Sequence, residues 1–160
     1  MTRTQFTELV CGEQERLRRF LLALCCGNRA EADDIAQETL VKAYLSSGGY
    51  FEKGRFTSWL YKIAHNTFID YKRGTKEILS VNDALQVADP LSSADRNLKY
   101  QYLYAAIDSL PRKERTSILL FYLNGYSVKE ICKIVDCSDD AVKKQLSRGR
   151  EHLKKILCND

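Results

Sequence analysis

Proline is nearly absent from this chain, with two in 160 residues, at Pro90 and Pro111. Because proline breaks helices it falls inside, long stretches are left free to run helical. Sustained apolar–polar alternation of the strand type is missing too. No apolar run is long enough to cross a bilayer, and the chain opens without an apolar signal segment. The expectation is therefore a protein of the reducing cytoplasm, with no membrane insertion. Six cysteines occur (Cys11, Cys25, Cys26, Cys132, Cys137, Cys158), but none forms a Cys-x-x-Cys pair. The two histidines, His65 and His152, are not spaced with any cysteine as ligands would be. Free thiols packed as small hydrophobes, with no metal and no cofactor, are expected. A glycine-rich phosphate loop and a nucleophile–base set are also missing, which removes the common enzyme classes.

What is present is charge, unevenly placed. Residues 1–73 carry 11 Lys/Arg against 9 Asp/Glu, residues 74–95 carry 1 against 4, and residues 96–160 carry 13 against 8. The pattern is basic, acidic, basic, and a basic surface can recruit nucleic acid or an acidic membrane.

Helical spacing dominates the apolar residues. Phe6, Leu9, Val10, Leu17, Phe20, Leu21 and Leu24 predict a first helix over about 3–26. Asn28 and Glu31 read as a capping box opening a second, over about 29–46, which runs into Ser46-Ser-Gly-Gly49. Thr57 is expected to cap a third, through Arg73, with Trp59 in its core. Residues 75–92 are acidic, poor in large apolar residues and hold Asp89-Pro90, and they read as a flexible linker. Helical pattern resumes through Leu98, Tyr102 and Leu110; Pro111 suits the first turn of the next helix, which ends at Asn124-Gly125. Two small domains result, 1–74 and 93–160, in an all-α fold.

The second domain ends in a recognisable unit. Ser127-Val-Lys-Glu130 is a capping box opening a short helix, Asp136-Cys-Ser138 is a tight turn, and Ser138 caps a last helix. That helix sets Val142, Leu146, Leu153 and Leu157 inward and Lys143, Lys144, Arg148, Arg150, Lys154 and Lys155 outward. A short helix, a turn and a basic helix form a helix-turn-helix within a four-helix domain, and the second helix fits the major groove. An ordinary basic amphipathic helix is the plainer reading. In the second helix Asp33, Asp34, Gln37, Glu38 and Val41 share one face, suited either to a basic protein partner or to water. The third helix mixes aromatics and bases in the manner of single-strand binders, whose rings stack on unpaired bases.

These segments together resemble a known family. Asp34-Ile-Ala-Gln-Glu38, Phe56-Thr-Ser-Trp-Leu-Tyr-Lys-Ile-Ala-His-Asn66 and Asp70-Tyr-Lys-Arg73 look like region 2 of sigma factors. Leu110-Pro111 with Arg115, Gly125-Tyr-Ser-Val-Lys-Glu-Ile131, and Val142-Lys with Arg148-Gly-Arg150 look like region 4. The order and the short linker resemble the extracytoplasmic-function (ECF) group of the sigma-70 family. The resemblance implies that Asp34, Gln37, Glu38 and Val41 dock on core RNA polymerase, through its β′ subunit. It implies that the loop at about 47–55, with Phe51, Lys53 and Arg55, and then Lys62, His65, Asn66, Lys72 and Arg73, meet the −10 element. Arg115, Ser127, Lys143, Lys144, Gln145, Ser147, Arg148 and Arg150 are implied at the −35 element. Implied partners are core polymerase (β and β′), promoter DNA, and an anti-sigma factor or other regulatory protein, for a chain that is a monomer when free. Ala141 stands where the family usually has Thr, and Asp139 and Asp140 place negative charge near the DNA end of the last helix. Those departures imply weakened autonomous −35 binding. A stand-alone dimeric helix-turn-helix regulator is the rival function, but it leaves the acidic face and the aromatic–basic helix without a purpose. A cysteine-based redox or zinc sensor is a weaker third.

Overall fold

The computed structural model describes residues 2–49, 56–81 and 97–158, with only the helical backbone given at 75–81 and 97–100. Phe51, Lys53, Arg55 and most of the expected linker lie outside the described residues. Among the described residues there are seven α-helices and no strand: α1 (Arg3–Leu24), α2 (Arg29–Ser46), α3 (Phe56–Val81), α4 (Asn97–Asp108), α5 (Arg112–Ile118), α6 (Val128–Val135) and α7 (Asp139–Cys158).

Capping fixes most of the boundaries. Thr2 and Gln5 close a reciprocal box at the start of α1, and Ser127 with Glu130 does the same for α6. Asn28 caps α2 by accepting from the Glu31 amide, but the expected box is only half made. The Glu31 carboxylate turns away to the Lys72 ammonium, 2.6 Å distant, because the site is buried and a charge there needs a partner more than the cap does. Ser138 accepts from the Ala141 amide at the head of α7. Pro111 sits one residue earlier than expected, as the N-cap of α5. α1 ends where Cys26 and Gly27 take positive φ, and α6 ends at Asp136 with φ 58. The helical backbone of α3 runs on to Val81, so the first residues read as linker are helical; nothing in Gly74–Val81 but the one glycine opposes it.

Two cores form. α1, α2 and α3 bury Leu17, Phe20, Leu21, Leu24, Ile35, Leu60, Ala64 and Phe68. α4 to α7 bury Leu110, Ile118, Leu120, Ile131, Ile134, Val142 and Leu146. Two expected core positions are not buried. Leu9 and Leu157 are 40% and 43% exposed, because helical drift hands the stripe on α7 from Leu153 to Ile156. Trp59 is half-buried and packs against the core.

α5 does not simply stop. It continues as a π-helical turn, Leu119–Leu123, in which the Asn124 amide donates back to the Leu119 carbonyl and the Tyr126 amide to the Leu120 carbonyl. Such turns carry one residue more than an α-turn. The second domain also depends on a close helix approach at Gly149 of α7, where a Cβ would stand 2.7 Å from Ile118 Cγ1 of α5. Gly149→Val should therefore destabilise the domain by about 1–3 kcal/mol through overpacking. Urea unfolding checks this, and an unchanged midpoint would mean α5 and α7 can separate freely.

Candidate nucleic-acid and partner interfaces

α2 divides cleanly into two faces. Ala32, Ile35, Ala36, Thr39 and Ala43 are buried, while Asp33, Asp34, Gln37, Glu38, Val41, Tyr44 and Leu45 are exposed. Leu45 is 77% and Val41 58% exposed, values a monomer gains nothing from. Asp33 leans on Arg18 at 3.8 Å and Glu38 on Lys42 at 3.3 Å, surface pairs too solvated to hold the face shut. The result is an apolar strip beside carboxylates and an amide, open to a partner carrying basic groups. Tyr44, which sequence spacing did not single out, joins this strip and makes an edge contact with the Phe6 ring at 5.5 Å.

α3 presents a basic stripe with a buried one beside it. Lys62, Asn66 and Arg73 are exposed at helical spacing. Lys72 is drawn to Glu31 and so is partly committed to the first domain's interior. His65 is 9% exposed and lies on the same stripe as Tyr61 and Phe68, both of which touch the second domain. Its Nδ1 has no hydrogen-bond partner among the described residues. In this arrangement His65 faces protein and not solvent, so the sequence expectation of DNA contact at His65 is not met here.

The helix-turn-helix carries a second exposed basic surface. Lys143, Lys144, Ser147 and Arg148 are exposed on α7, and Arg150, also exposed, donates to the Tyr122 hydroxyl at 3.2 Å. Gln145 departs from expectation. Its Oε1 accepts from Ser117 Oγ at 2.6 Å and its Nε2 lies 4.0 Å from Cys137 Sγ, so it braces α5, the turn and α7 together. Arg115 departs also. Its guanidinium donates to the carbonyls of Ile107, Asp108 and Leu110, satisfying the orphan C-terminal carbonyls of α4, and is mostly withdrawn from solvent. Ser127 is exposed; its oxygen accepts the cap bond and its hydroxyl proton is left to donate outward. Asp139 is engaged by the Cys132 thiol at 2.9 Å, and partial burial together with that carboxylate pushes the thiol up to about 11.

The other cysteines are free. Burial pushes the Cys25 and Cys26 thiols up to about 12, which makes them poor nucleophiles. Among the described residues no three His, Cys, Asp or Glu side chains gather as a metal site. No described helix is long and apolar enough to cross a membrane. His152 pairs with the buried Glu114 at 2.8 Å, an inter-helix tie with no nucleophile beside it.

A helix-turn-helix with an exposed basic helix, coupled to a three-helix domain with an apolar and acidic face, defines a DNA-binding protein that also docks on a partner. Comparison with known proteins identifies the class more closely. Residues 10–78 match the family described as "Sigma-70 region 2" and residues 100–153 match "Sigma-70, region 4". The chain is 34% identical over 146 residues to the ECF RNA polymerase sigma factor SigW of Bacillus subtilis, spanning 82% of this chain and 78% of that one. It is 32% identical over 135 residues to the ECF RNA polymerase sigma-E factor of Escherichia coli, spanning 76% and 71%. It is 29% identical over 148 residues to EcfG of Rhodopseudomonas palustris, spanning 90% and 80%. The fold is that of the sigma factor RpoE from Bartonella quintana, solved with the anti-sigma factor NepR, at TM-score 0.81, 24% identity and 98% coverage of both chains. CnrH, solved with the cytosolic domain of CnrY, matches at TM-score 0.78 and 22% identity, over 99% of this chain and 91% of that one. The chain belongs to the ECF group of the sigma-70 family and is a sigma factor of transcription initiation.

His65 supplies a pH test of this arrangement. Burial, and then the positive charge of Arg112 facing it from α5, lower its pKa from 6.5 to about 4. A histidine held neutral adds stability that is present above pH 6.5 and is lost as pH falls toward 4. Between pH 7.5 and pH 5 the wild type should lose about 2 kcal/mol more unfolding free energy than His65→Gln. Parallel urea titrations at the two pH values read this, and equal losses in both proteins would place His65 in water.

Proposed function

We propose that this sigma factor divides initiation among three exposed surfaces. The α2 face of Asp34, Gln37, Glu38 and Val41, extended by Tyr44 and Leu45, binds the β′ subunit of core RNA polymerase. The stripe of Lys62, Asn66 and Arg73 on α3, continued by Lys72 and the loop residues Phe51, Lys53 and Arg55, engages the −10 element as the strands part. The α7 face of Lys143, Lys144, Ser147 and Arg148 reads the −35 element, with Ser127 and Arg150 at phosphates. The domains run as 1–74 and 93–160, and 75–92 links them within the polymerase. The protein works in the cytoplasm, performs no catalysis of its own, and is governed by an anti-sigma factor or comparable regulator.

The observation that carries this reading is the segregation of surfaces. An apolar and acidic face on α2 and a basic face on α7 are both exposed, each of the chemistry that the proposed partner needs. The same observation disfavours a dimeric operator binder, because such a protein has no use for Leu45 and Val41 held in water beside Asp34 and Glu38.

Asp34→Ala with Leu45→Ala should weaken binding to core polymerase by about 2–4 kcal/mol, as truncating central interface residues does, with duplex binding by α7 unchanged. Lys143→Ala with Arg148→Ala should leave core binding intact and lower −35-dependent initiation by about 1–3 kcal/mol for each base-reading side chain removed. Co-elution with core enzyme and transcription from a genomic promoter library measure both. Core binding that survives the α2 changes would place the polymerase-docking surface elsewhere.

A further inference from the structure

One contact inside the second domain is polar where apolar packing would have sufficed. Ser117 of α5 is fully buried, and its hydroxyl donates to Gln145 Oε1 of α7 at 2.6 Å. Gln145 Nε2 lies 4.0 Å from Cys137 Sγ in the turn. One helical turn further along α7, Gly149 is buried against Ile118 and Glu114 of α5. Near the end of α7 the His152 imidazole meets the Glu114 carboxylate at 2.8 Å. Gln145, Gly149 and His152 thus line one edge of α7, facing Glu114, Ser117 and Ile118 of α5. The adjoining edge carries Lys144 and Arg148, both in solvent.

These contacts differ in what they can hold. Val142 and Leu146 are buried by a force that has no direction of its own. Gly149 brings α7 close to α5 but offers no side chain to resist rolling about the helix axis. The Ser117–Gln145 bond does resist, because a hydrogen bond weakens steeply as it lengthens or bends. A fully buried hydroxyl that loses its partner forfeits its solvation with nothing in return. Roll matters at the surface. Side chains reach about 5–6 Å from a helix axis, so a roll of about 20° carries their tips by about 2 Å. A hydrogen bond to a base edge does not survive a shift of that size.

We propose that Gln145 is a positioning residue for −35 recognition. Held by the Ser117 hydroxyl, it fixes the roll of α7 and so decides which base edges Lys143, Lys144, Ser147 and Arg148 reach. The proposal rests on the reading of α7 as the −35 surface and deepens it, since Gln145 then sets sequence preference without touching a base. Its carbonyl oxygen is occupied by Ser117 and its amide nitrogen is turned to Cys137, so the bidentate grip on adenine open to a free glutamine is not formed. Phosphate contacts respond differently. A long cationic side chain follows a phosphate through a small roll, and such contacts carry no sequence information. Loss of the Ser117–Gln145 bond therefore lowers discrimination between −35 sequences and leaves affinity for arbitrary duplex where it was.

The experiment uses the full chain with core RNA polymerase. Promoters that share one −10 region carry a randomised −35 segment, and transcripts are counted by −35 sequence. Binding of the full chain to a duplex of arbitrary sequence, followed across salt concentrations, gives the sequence-independent part. Ser117→Ala alters a buried side chain that cannot meet DNA. It should lower the preference for the favoured −35 bases about tenfold, the scale of one lost base contact, with arbitrary-duplex binding and its salt slope unchanged. Gln145→Met should give the same loss of preference, and the double variant no more than either, because both act through one bond. Gln145→Glu keeps an oxygen for Ser117 and should keep the wild-type preference; it decides the case if Ser117→Ala fails to fold. Wild-type preference in Ser117→Ala, or a changed favoured base in Gln145→Glu, would mean that Gln145 reads DNA itself and would overturn the proposal. A loss shared equally by favoured and arbitrary sequences would overturn it too, leaving Gln145 a support of the fold. Transcription by the wild type with no −35 preference at all would instead sink the −35 reading on which the proposal rests.

Discussion

The amide of Asn124 is committed in three directions: its own N–H closes the π-helical turn, its side chain meets Tyr61, and its carbonyl receives Arg16. Few residues in a chain of this size connect the end of one helix with the middle of another and the flank of a third. The bonds of Asn124 tie the π-helical turn to α3 and α1, while its side-chain oxygen is buried without a hydrogen-bond partner among the described residues. Much else in the molecule follows from its division into two halves, whose apolar residues nonetheless join in one buried cluster.

That division explains where charge is tolerated. Glu31 and Glu114 are buried carboxylates, and each is matched, by Lys72 in the first domain and His152 in the second. Both pairs are internal to one half of the chain, so neither buried carboxylate depends on the other half for its partner. The surfaces assigned to partners hold their charges in water, paired only with flexible neighbours such as Lys42 and Arg18. Charges of that kind steer encounter and exchange partners cheaply.

The helices were legible in the sequence because their ends are chemical. Asn28, Ser127 and Ser138 announce caps, and apolar residues three and four apart give the buried faces. The family motifs singled out Asp34, Glu38, Lys143 and Arg148, all of which the structure leaves exposed. What spacing could not show was the competition for a side chain. Glu31 suits a cap and is taken by Lys72; Arg115 suits a phosphate and is taken by the carbonyls ending α4; Gln145 suits a base edge and is taken by Ser117. In each case the winning partner is near in space, and only the fold reveals it. Tyr61 and Asn124 are 63 residues apart, and local periodicity cannot show that they pair. Nor does periodicity signal a π-turn, since one added residue leaves the apolar stripe looking merely irregular.

That added residue carries a consequence for how such proteins diverge. Each residue of an α-helix turns the chain by about 100°. Loss of a single codon between Leu119 and Leu123 would return the segment to ordinary winding and swing Asn124 by about that angle away from Tyr61. The helix-turn-helix downstream would be rebuilt on the same side-chain rules and the first domain would be untouched. One in-frame deletion there would thus break the Asn124–Tyr61 bond and displace Leu119 and Leu120, both buried in the core.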